Sequence, residues 1–256
     1  MNRITERLAV LQQRNKKALA LFITAGFPKL HDTPWIALEA ENGGADLIEI
    51  GMPFSDPLAD GPVIQRSSAR ALRNGVTLDR IFKQVGAIRK RSEIPVILMG
   101  YLNPILAYGL ERFFAHAGAS GVDGVILPEV PLEEAPRFAS LIRRHELAQI
   151  LLVTPTTTPA RRGLIDDAST GFLYCVSATG VTGRRSTHPD LAYVARVKRT
   201  ARKNPVLVGF GIRRREDVSR FSSVSDGVII GSACIEYLEK NGKRNFGRWV
   251  RTMKRA

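Results

Sequence analysis

The residues best suited to chemistry lie in one stretch, where a short apolar strand runs into an acidic loop. Residues 46–65 read DLIEIGMPFSDPLADGPVIQ, with Glu49 inside the strand and Asp56 and Asp60 in the loop. Glutamate is seldom fully buried without a partner, and an apolar setting raises the pKa of a carboxyl group. Glu49 is therefore predicted to be a general acid or base. The alternative is a structural ion pair.

Asp60 lies on a different kind of element, a loop flanked by prolines. A loop carboxylate that stays ionised could bind an N–H group or stabilise a developing positive charge, while the strand carboxyl exchanges protons. Because Asp60 stands in Ala-Asp-Gly-Pro, which is common turn chemistry, a turn or capping role is the alternative. Together, Glu49 and Asp60 predict acid/base catalysis by two carboxyl groups in unlike environments.

The elements that must position these residues form a regular alternation. Strand-length apolar runs alternate with stretches of helical periodicity, and continuous apolar runs are typical of parallel strands buried on both faces. The pattern predicts an α/β fold, a single-domain (β/α)8 TIM barrel over residues 1–256 with an extra N-terminal helix at 2–13. A doubly wound sheet is disfavoured because no Gly-x-Gly-x-x-Gly follows the first strand. The eight strands are predicted at 18–24, 46–50, 95–99, 124–128, 149–154, 172–177, 205–209 and 226–230.

Active sites of such barrels are built at the carboxyl ends of the strands. No lysine stands at those predicted ends, which disfavours a Schiff-base aldolase. The four histidines lack metal-ligand spacing, so no metal site is predicted. Carboxylate acid/base catalysis is the main chemistry that remains. Cys175 and Cys234 lie in or next to apolar runs and are predicted to be core thiols.

Glycine-bearing loops follow the last three predicted strands, at 180–183, 209–212 and 231–232. Barrels often bind phosphate with the loops after strands seven and eight and with a helix N-terminus, where free N–H groups favour an anion. Any one of these glycines could be an ordinary turn residue. Three such loops in this order predict a phosphate site, and hence a phosphate monoester as substrate.

The net charge of +14 makes nucleic-acid binding a possibility to consider. Residues 129–256 carry most of the excess, with 23 Lys and Arg against 12 Asp and Glu. No interleaved aromatics or nucleic-acid-binding motif accompany it, which favours solvated helix faces and no nucleic-acid partner. The chain shows no signal-peptide pattern and no apolar run near the roughly 18 residues of a membrane span, so a cytoplasmic protein without a membrane partner is predicted.

As a set, these motifs resemble the tryptophan synthase alpha subunit family over essentially the whole chain. The resemblance rests on residues 47–65, on LMGYLNP at 98–104, and on the glycine motifs at 180–183, 209–212 and 231–233. It implies a carbon–carbon lyase that splits indole-3-glycerol phosphate into indole and glyceraldehyde 3-phosphate by a retro-aldol step. It also implies no cofactor in this chain, and a beta-subunit partner that carries pyridoxal phosphate (PLP) within an alpha2beta2 heterotetramer.

The resemblance further implies roles for individual residues. Glu49 would shuttle the proton to the indole ring, and Asp60 would bind the indole N–H. Thr182 would close the loop after the sixth strand by contacting Asp60, and Asp56 would face the beta subunit. Two further groups are implied, namely the indole-pocket residues Phe22, Leu98, Tyr101, Leu127 and Tyr174, and the phosphate-binding residues Gly183, Gly211, Gly231 and Ser232.

Three departures from the family stand near these motifs. Glu129 replaces a common aspartate, Gly100 replaces a larger residue, and basic residues at 184–185 and 213–215 flank the phosphate loops. Two other functions stay open: a stand-alone lyase that needs no partner, and a non-catalytic basic barrel whose affinity for nucleic acid falls steeply with salt.

Overall fold

Parallel strands form the centre of the structure, and helices cover their outer side. The computed structural model describes residues 2–177 and 190–254. The strands are β1 Ala18–Thr24, β2 Leu47–Gly51, β3 Val96–Met99, β4 Gly124–Ile126, β5 Ala148–Gln149, β6 Leu152–Val153, β7 Leu173–Val176, β8 Val206–Gly209 and β9 Gly227–Ile230. Paired strands follow the order β5-β4-β3-β2-β1-β9-β8-β7-β6, and all the pairings are parallel.

The predicted fifth strand is divided into β5, which pairs with β4, and β6, which pairs with β7. The N–H groups of Gln149 and Leu151 donate to the hydroxyls of Thr170 and Ser169, at 2.8 and 2.9 Å, instead of to a strand carbonyl. Because β5 and β6 are consecutive in the chain, this segment joins the two ends of the sheet. The predicted (β/α)8 barrel is confirmed, with its fifth strand in two pieces.

Helices follow the strands along the chain, and a first helix precedes them. Among the described residues they are α1 Arg3–Gln13, α2 Thr33–Asn42, α3 Pro62–Arg73, α4 Leu78–Arg89, α5 Leu102–Tyr108, α6 Leu110–Ser120, α7 Ala135–Arg144, α8 Pro159–Ala168, α9 Leu191–Thr200, α10 Arg215–Ser222, α11 Ser232–Asn241 and α12 Phe246–Lys254. The predicted extra N-terminal helix is α1, and Asn2 caps it by accepting a hydrogen bond from the Ile4 N–H at 3.0 Å. Within the described ranges, no helix is long and apolar enough to cross a membrane.

Two apolar clusters divide the core, because successive strand side chains point to opposite faces. The inner cluster fills the barrel with side chains such as Ala20, Leu47 and Ile97, and α1 contributes Ile4, Leu8 and Leu11 to it. The outer cluster lies between strands and helices and contains both cysteines, which are fully buried, as predicted for core thiols.

Aspartates bind the amino ends of several strands; Asp46 and Asp123 are buried and Asp226 is half-buried. Asp46, Asp123 and Asp226 accept hydrogen bonds from the N–H groups of Leu19, Val96 and Val206, at 2.8, 2.7 and 2.7 Å. Each carboxylate satisfies a backbone donor at the start of a neighbouring strand, where no ladder partner is available. Structural carboxylates therefore occupy the amino end of the barrel, and the carboxyl end is left for the candidate site.

Candidate active site

Glu49 lies on β2 and points into the barrel. It is in register with Phe22 on β1 and Ile97 on β3, and it shares its face with Leu47 of the inner cluster. The residue is 0% exposed, and neither carboxyl oxygen has a hydrogen-bond partner among the described residues. Burial raises the pKa of Glu49 to about 8. The carboxyl group is therefore mainly protonated at neutral pH, as a proton donor must be.

Asp60 lies at the end of the loop from β2 to α3, directly before Gly61, the N-cap of α3. Burial raises the pKa of this carboxyl group to about 6, an effect that a hydrogen bond from Tyr101 opposes and the negative charge of Glu129 reinforces. Asp60 is consequently mainly ionised at pH 7. Two carboxyl groups in opposite protonation states thus come from successive parts of the chain.

Tyr101 holds the loop that carries Asp60. Its hydroxyl accepts a hydrogen bond from the Ala59 N–H at 3.0 Å and donates to the Asp60 carboxylate. Its ring lies 5.4 Å from the ring of Phe54, between centroids, on the same loop. Tyr101 was predicted as an indole-pocket residue, which stays a prediction; what the structure shows is that its hydroxyl contacts Ala59 and Asp60.

Two of the departures from the family lie beside this loop. The Leu102 N–H, in the first turn of α5, donates to the carboxylate of Glu129, so the longer side chain ties the β4 loop to the residue after Tyr101. At Gly100, an added Cβ would lie 2.9 Å from the Cβ and Cε atoms of Met52. Met52 therefore fills the space that a larger residue would need.

Tyr174 belongs to the inner cluster. Phe22 alternates with Ala18 and Ala20 of that cluster and is in register with Glu49, although its side chain also contacts the outer cluster. The Phe22 ring covers Gly51, where an added Cβ would approach Phe22 Cζ to 2.3 Å. Tyr174 on β7 is buried, and its hydroxyl occupies the space next to Gly209. Burial and the nearby Glu49 carboxyl both raise the pKa of Tyr174. The structure thus brings these two predicted pocket residues together with the proposed acid.

The other two predicted pocket residues, Leu98 and Leu127, do not reach the barrel interior. Leu98 is buried in the outer cluster, and Leu127 packs against that same cluster. Their chain neighbours face inwards instead, since Ile126 belongs to the inner cluster and Met99 contacts it. The register pairs Ile97 with Glu49 and Met99 with Gly51, which places Met99 on the inward face of β3. Residues 96–99 are all apolar, so the sequence carried no signal for this face.

The predicted phosphate residues lie on the β8–α10 loop and at the start of α11. Phe210 and Gly211 have positive φ angles of 70° and 74°, and the Phe210 carbonyl accepts a hydrogen bond from the Ser177 hydroxyl at 2.5 Å. Gly231 is the N-cap of α11 and Ser232 is its first residue. The first N–H groups of a helix have no intrahelical partner and favour an anion.

Three residues, Asp56, Thr182 and Gly183, have predicted roles that contacts in the structure do not test. Asp56 is exposed on the β2–α3 loop, where a partner could reach it. Thr182 and Gly183 lie outside the described residues. Their roles therefore stay predictions. Within the described ranges, no group of three or more His, Cys, Asp or Glu side chains is arranged to hold a metal ion.

The described site can carry out a defined set of steps. A protonated carboxyl group in an apolar barrel can donate a proton to a carbon atom. An ionised carboxylate on the adjoining loop can stabilise positive charge on an N–H group. Glycine-rich backbone after β8 and β9 can receive an anion. These capacities fit an aromatic substrate that carries a phosphate group.

Comparison with known proteins points to one family. The family model for the tryptophan synthase alpha chain matches residues 8–254. The tryptophan synthase alpha chain of Christiangramia forsetii is 44% identical, over 99% of both chains. That of Geotalea uraniireducens is 47% identical, over 94% of this chain and 90% of the relative.

Solved structures give the same result. The tryptophan synthase subunit alpha of Legionella pneumophila superposes with a TM-score of 0.89 at 36% identity, covering 100% of this chain and 98% of that chain. A chain of Mycobacterium tuberculosis tryptophan synthase superposes with a TM-score of 0.91 at 33% identity, covering 99% of this chain and 97% of that chain.

Proposed function

Because the chain belongs to the tryptophan synthase alpha chain family, we propose that this lyase splits indole-3-glycerol phosphate into indole and glyceraldehyde 3-phosphate. The observation that carries the proposal is Glu49, a carboxyl group that burial keeps protonated inside the barrel, next to the loop of ionised Asp60. A retro-aldol cleavage without a Schiff base needs an electron sink, and an indole ring protonated at C3 provides one.

The reaction begins when Glu49 donates its proton to C3 of the indole ring. The ring nitrogen then carries positive charge. The Asp60 carboxylate accepts a hydrogen bond from the ring N–H and stabilises that charge. The Glu49 carboxylate takes the proton of the glycerol hydroxyl as the carbon–carbon bond breaks. The bonding electrons return to the ring, indole and the aldehyde form, and Glu49 is protonated again. No proton is gained or lost over the cycle.

The phosphate group binds at the carboxyl ends of β8 and β9, beyond β1 from the strand of Glu49. We assign it to Gly211 on the β8–α10 loop and to Gly231 and Ser232 at the start of α11, together with Gly183. The positive φ of Gly211 and the N–H groups of Ser232 and Ala233 at the start of α11 support this assignment. Phe22, Tyr101, Tyr174 and Met99 surround the indole ring.

The partner is a beta subunit, which receives the indole. Two exposed leucines support a docking surface at this end of the barrel: Leu58 on the β2–α3 loop is 80% exposed, and Leu106 on α5 is 50% exposed. Asp56 is exposed on the same loop as Leu58. The proposed cycle consists of proton transfers that Glu49 performs, so we assign no cofactor to this chain. We place PLP in the beta subunit, and the two subunits in a cytoplasmic alpha2beta2 complex.

Indole release from indole-3-glycerol phosphate tests the proposal, with the purified chain assayed alone and with a beta subunit. We expect slow release alone, stimulation by the partner, and loss of both in Glu49→Gln. Fast release that the partner does not change would identify the stand-alone lyase instead. Absence of Glu49-dependent indole release under both conditions would refute the assignment.

A further inference from the structure

An ion pair joins the two described elements to which the phosphate is assigned. Arg213 Nη2 lies 2.8 Å from Glu236 Oε1 and 2.5 Å from Oε2. Arg213 follows Gly211 by two residues on the β8–α10 loop, and Glu236 is the fifth residue of α11, which begins at Ser232. The pair therefore connects one side of the proposed phosphate site with the other.

The backbone that carries Arg213 is fixed on both sides. Before it, the carbonyl of Phe210 accepts the Ser177 hydroxyl hydrogen bond at 2.5 Å. At and after it, the N–H groups of Arg213 and Arg214 both donate to Asp217 Oδ2, at 3.0 and 2.9 Å. These hydrogen bonds order the backbone of the loop, and the ordered backbone directs the Arg213 side chain towards α11.

Glu236 places a negative charge close to the proposed anion site. Four residues of helix separate it from Ser232, which is a rise of about 6 Å along the axis. Unit charges at about this separation still interact, since the Debye length is about 10 Å at 0.1 M ionic strength. A bare carboxylate at Glu236 would repel a phosphate dianion, and the guanidinium of Arg213 cancels that repulsion.

We propose that Arg213 is a positioning residue for the substrate phosphate, which it serves by neutralising the negative charge of Glu236 beside the phosphate site. The inference rests on the proposed function, since it assumes that Gly211, Gly231 and Ser232 hold the phosphate. Glu236 is its necessary counterpart, because the effect of Arg213 is exerted through that carboxylate.

Removal of the positive charge tests the neutralising role. In Arg213→Gln, KM for indole-3-glycerol phosphate rises about three- to ten-fold while kcat changes little, because the phosphate contributes uniform binding far from the breaking bond. Inhibition by glycerol 3-phosphate, which has no indole ring, weakens by a similar factor. Both losses shrink at high salt, since they are electrostatic. Arg213→Lys, which keeps the charge, restores most of the affinity.

Substitution of Glu236 is expected to change KM in the opposite direction. Glu236→Gln leaves Arg213 as an unpaired cation near the phosphate, so KM stays the same or falls. In the double variant, Arg213→Gln with Glu236→Gln, no uncovered carboxylate remains, and KM returns towards that of the unmodified protein. If the pair only stabilised the fold, the double variant would bind no better than Arg213→Gln.

Arg161→Gln is the matched control. Arg161 forms a similar ion pair with Glu133, at 2.5 and 2.9 Å, between α8 and the segment before α7, outside the proposed phosphate site. It is 42% exposed in its side chain, against 46% for Arg213, so both variants are expected to fold, which circular dichroism verifies. KM and inhibition by glycerol 3-phosphate should not change in this control.

Two results overturn the inference while leaving the proposed function intact: an unchanged KM in Arg213→Gln, or a double variant that binds as weakly as Arg213→Gln. A different result separates the proposed function from the inference. If the unmodified protein neither cleaves indole-3-glycerol phosphate nor binds glycerol 3-phosphate, the proposed function is wrong, and the role of Arg213 is wrong with it.

Discussion

The hydroxyl of Tyr101 donates a hydrogen bond to the carboxylate of Asp60 and so connects the end of β3 to the loop after β2. This contact joins a residue predicted to line the pocket with one predicted to act in catalysis. It lowers the pKa of Asp60 against the opposing effect of burial. The same hydroxyl accepts the Ala59 N–H, so a single phenol both holds the loop and adjusts its carboxylate.

Tyr101→Phe is expected to reduce kcat/KM about three- to thirty-fold, in line with the loss of one hydrogen bond to a charged group that is partly buried. Because that bond lowers the pKa of Asp60, its loss raises the pKa above about 6 and moves the acid limb of the pH–rate profile to higher pH. Tyr108→Phe is the control, since Tyr108 bonds Asp79 and His116 away from the site. An unshifted acid limb would contradict the proposed link.

The pH dependence of kcat/KM should be bell-shaped. Asp60 must be ionised and has a pKa of about 6, while Glu49 must be protonated and has a pKa of about 8. Activity therefore falls below about pH 6 and above about pH 8. Steady-state rates from pH 5 to about 9.5 measure both limbs, and Asp60→Asn should abolish the acid limb together with most of the activity. A profile that is flat across this range would exclude the assigned protonation states.

Glu49→Gln should lower kcat about 10²- to 10⁴-fold, which is the usual effect of removing a general acid or base. Affinity for glycerol 3-phosphate should be retained, because the phosphate is assigned to Gly211, Gly231 and Ser232 on other strands. Indole release and competition binding, measured on the same preparation, check both statements. Loss of both properties would indicate that the variant has misfolded, which circular dichroism would reveal.

The buried carboxyl of Glu49 should also make stability depend on pH. Its pKa is about 8 in the folded protein, against the ordinary glutamate value of 4.5, which applies to the unfolded chain. Between these values the folded protein holds a proton that the unfolded chain has released, so the free energy of unfolding falls as pH rises from about 4.5 to 8. The total change is on the order of 3 to 5 kcal/mol. Urea unfolding at several pH values should show this slope in the unmodified protein and a flatter one in Glu49→Gln.

Gly100→Ala should destabilise the fold by about 1 to 3 kcal/mol, because its Cβ would lie 2.9 Å from two atoms of Met52. Gly86→Ala is the matched control, since Gly86 lies inside α4 with nothing within 4 Å of an added Cβ. That substitution should stabilise by about 0.5 to 1 kcal/mol. Thermal unfolding midpoints measure both changes, and a Gly100→Ala midpoint at or above that of the unmodified protein would contradict the close packing.

The sequence by itself determined the strand-and-helix alternation and the place of the acid within it. Continuous apolar runs such as 18–24 and 205–209 are typical of parallel strands that are buried on both faces. Glu49 was identified as a candidate because a carboxyl group is seldom buried in such a run without a partner. The extra helix predicted at 2–13 is α1, and the structure adds that Asn2 caps it. These features depend on residue type and on neighbours a few positions away.

Only the tertiary structure decided which face of each strand looks inwards and which side chains meet. A strand that is apolar on both faces carries no alternation, so the inward residue could not be read, and Leu98 was chosen where Met99 contacts the inner cluster. The division of the fifth strand depends on hydroxyls of Ser169 and Thr170, about twenty residues further along the chain. The contact between Tyr101 and Asp60 joins separate βα units, as does that between Arg213 and Glu236. Such contacts arise only when the barrel closes and brings the carboxyl ends of its strands together.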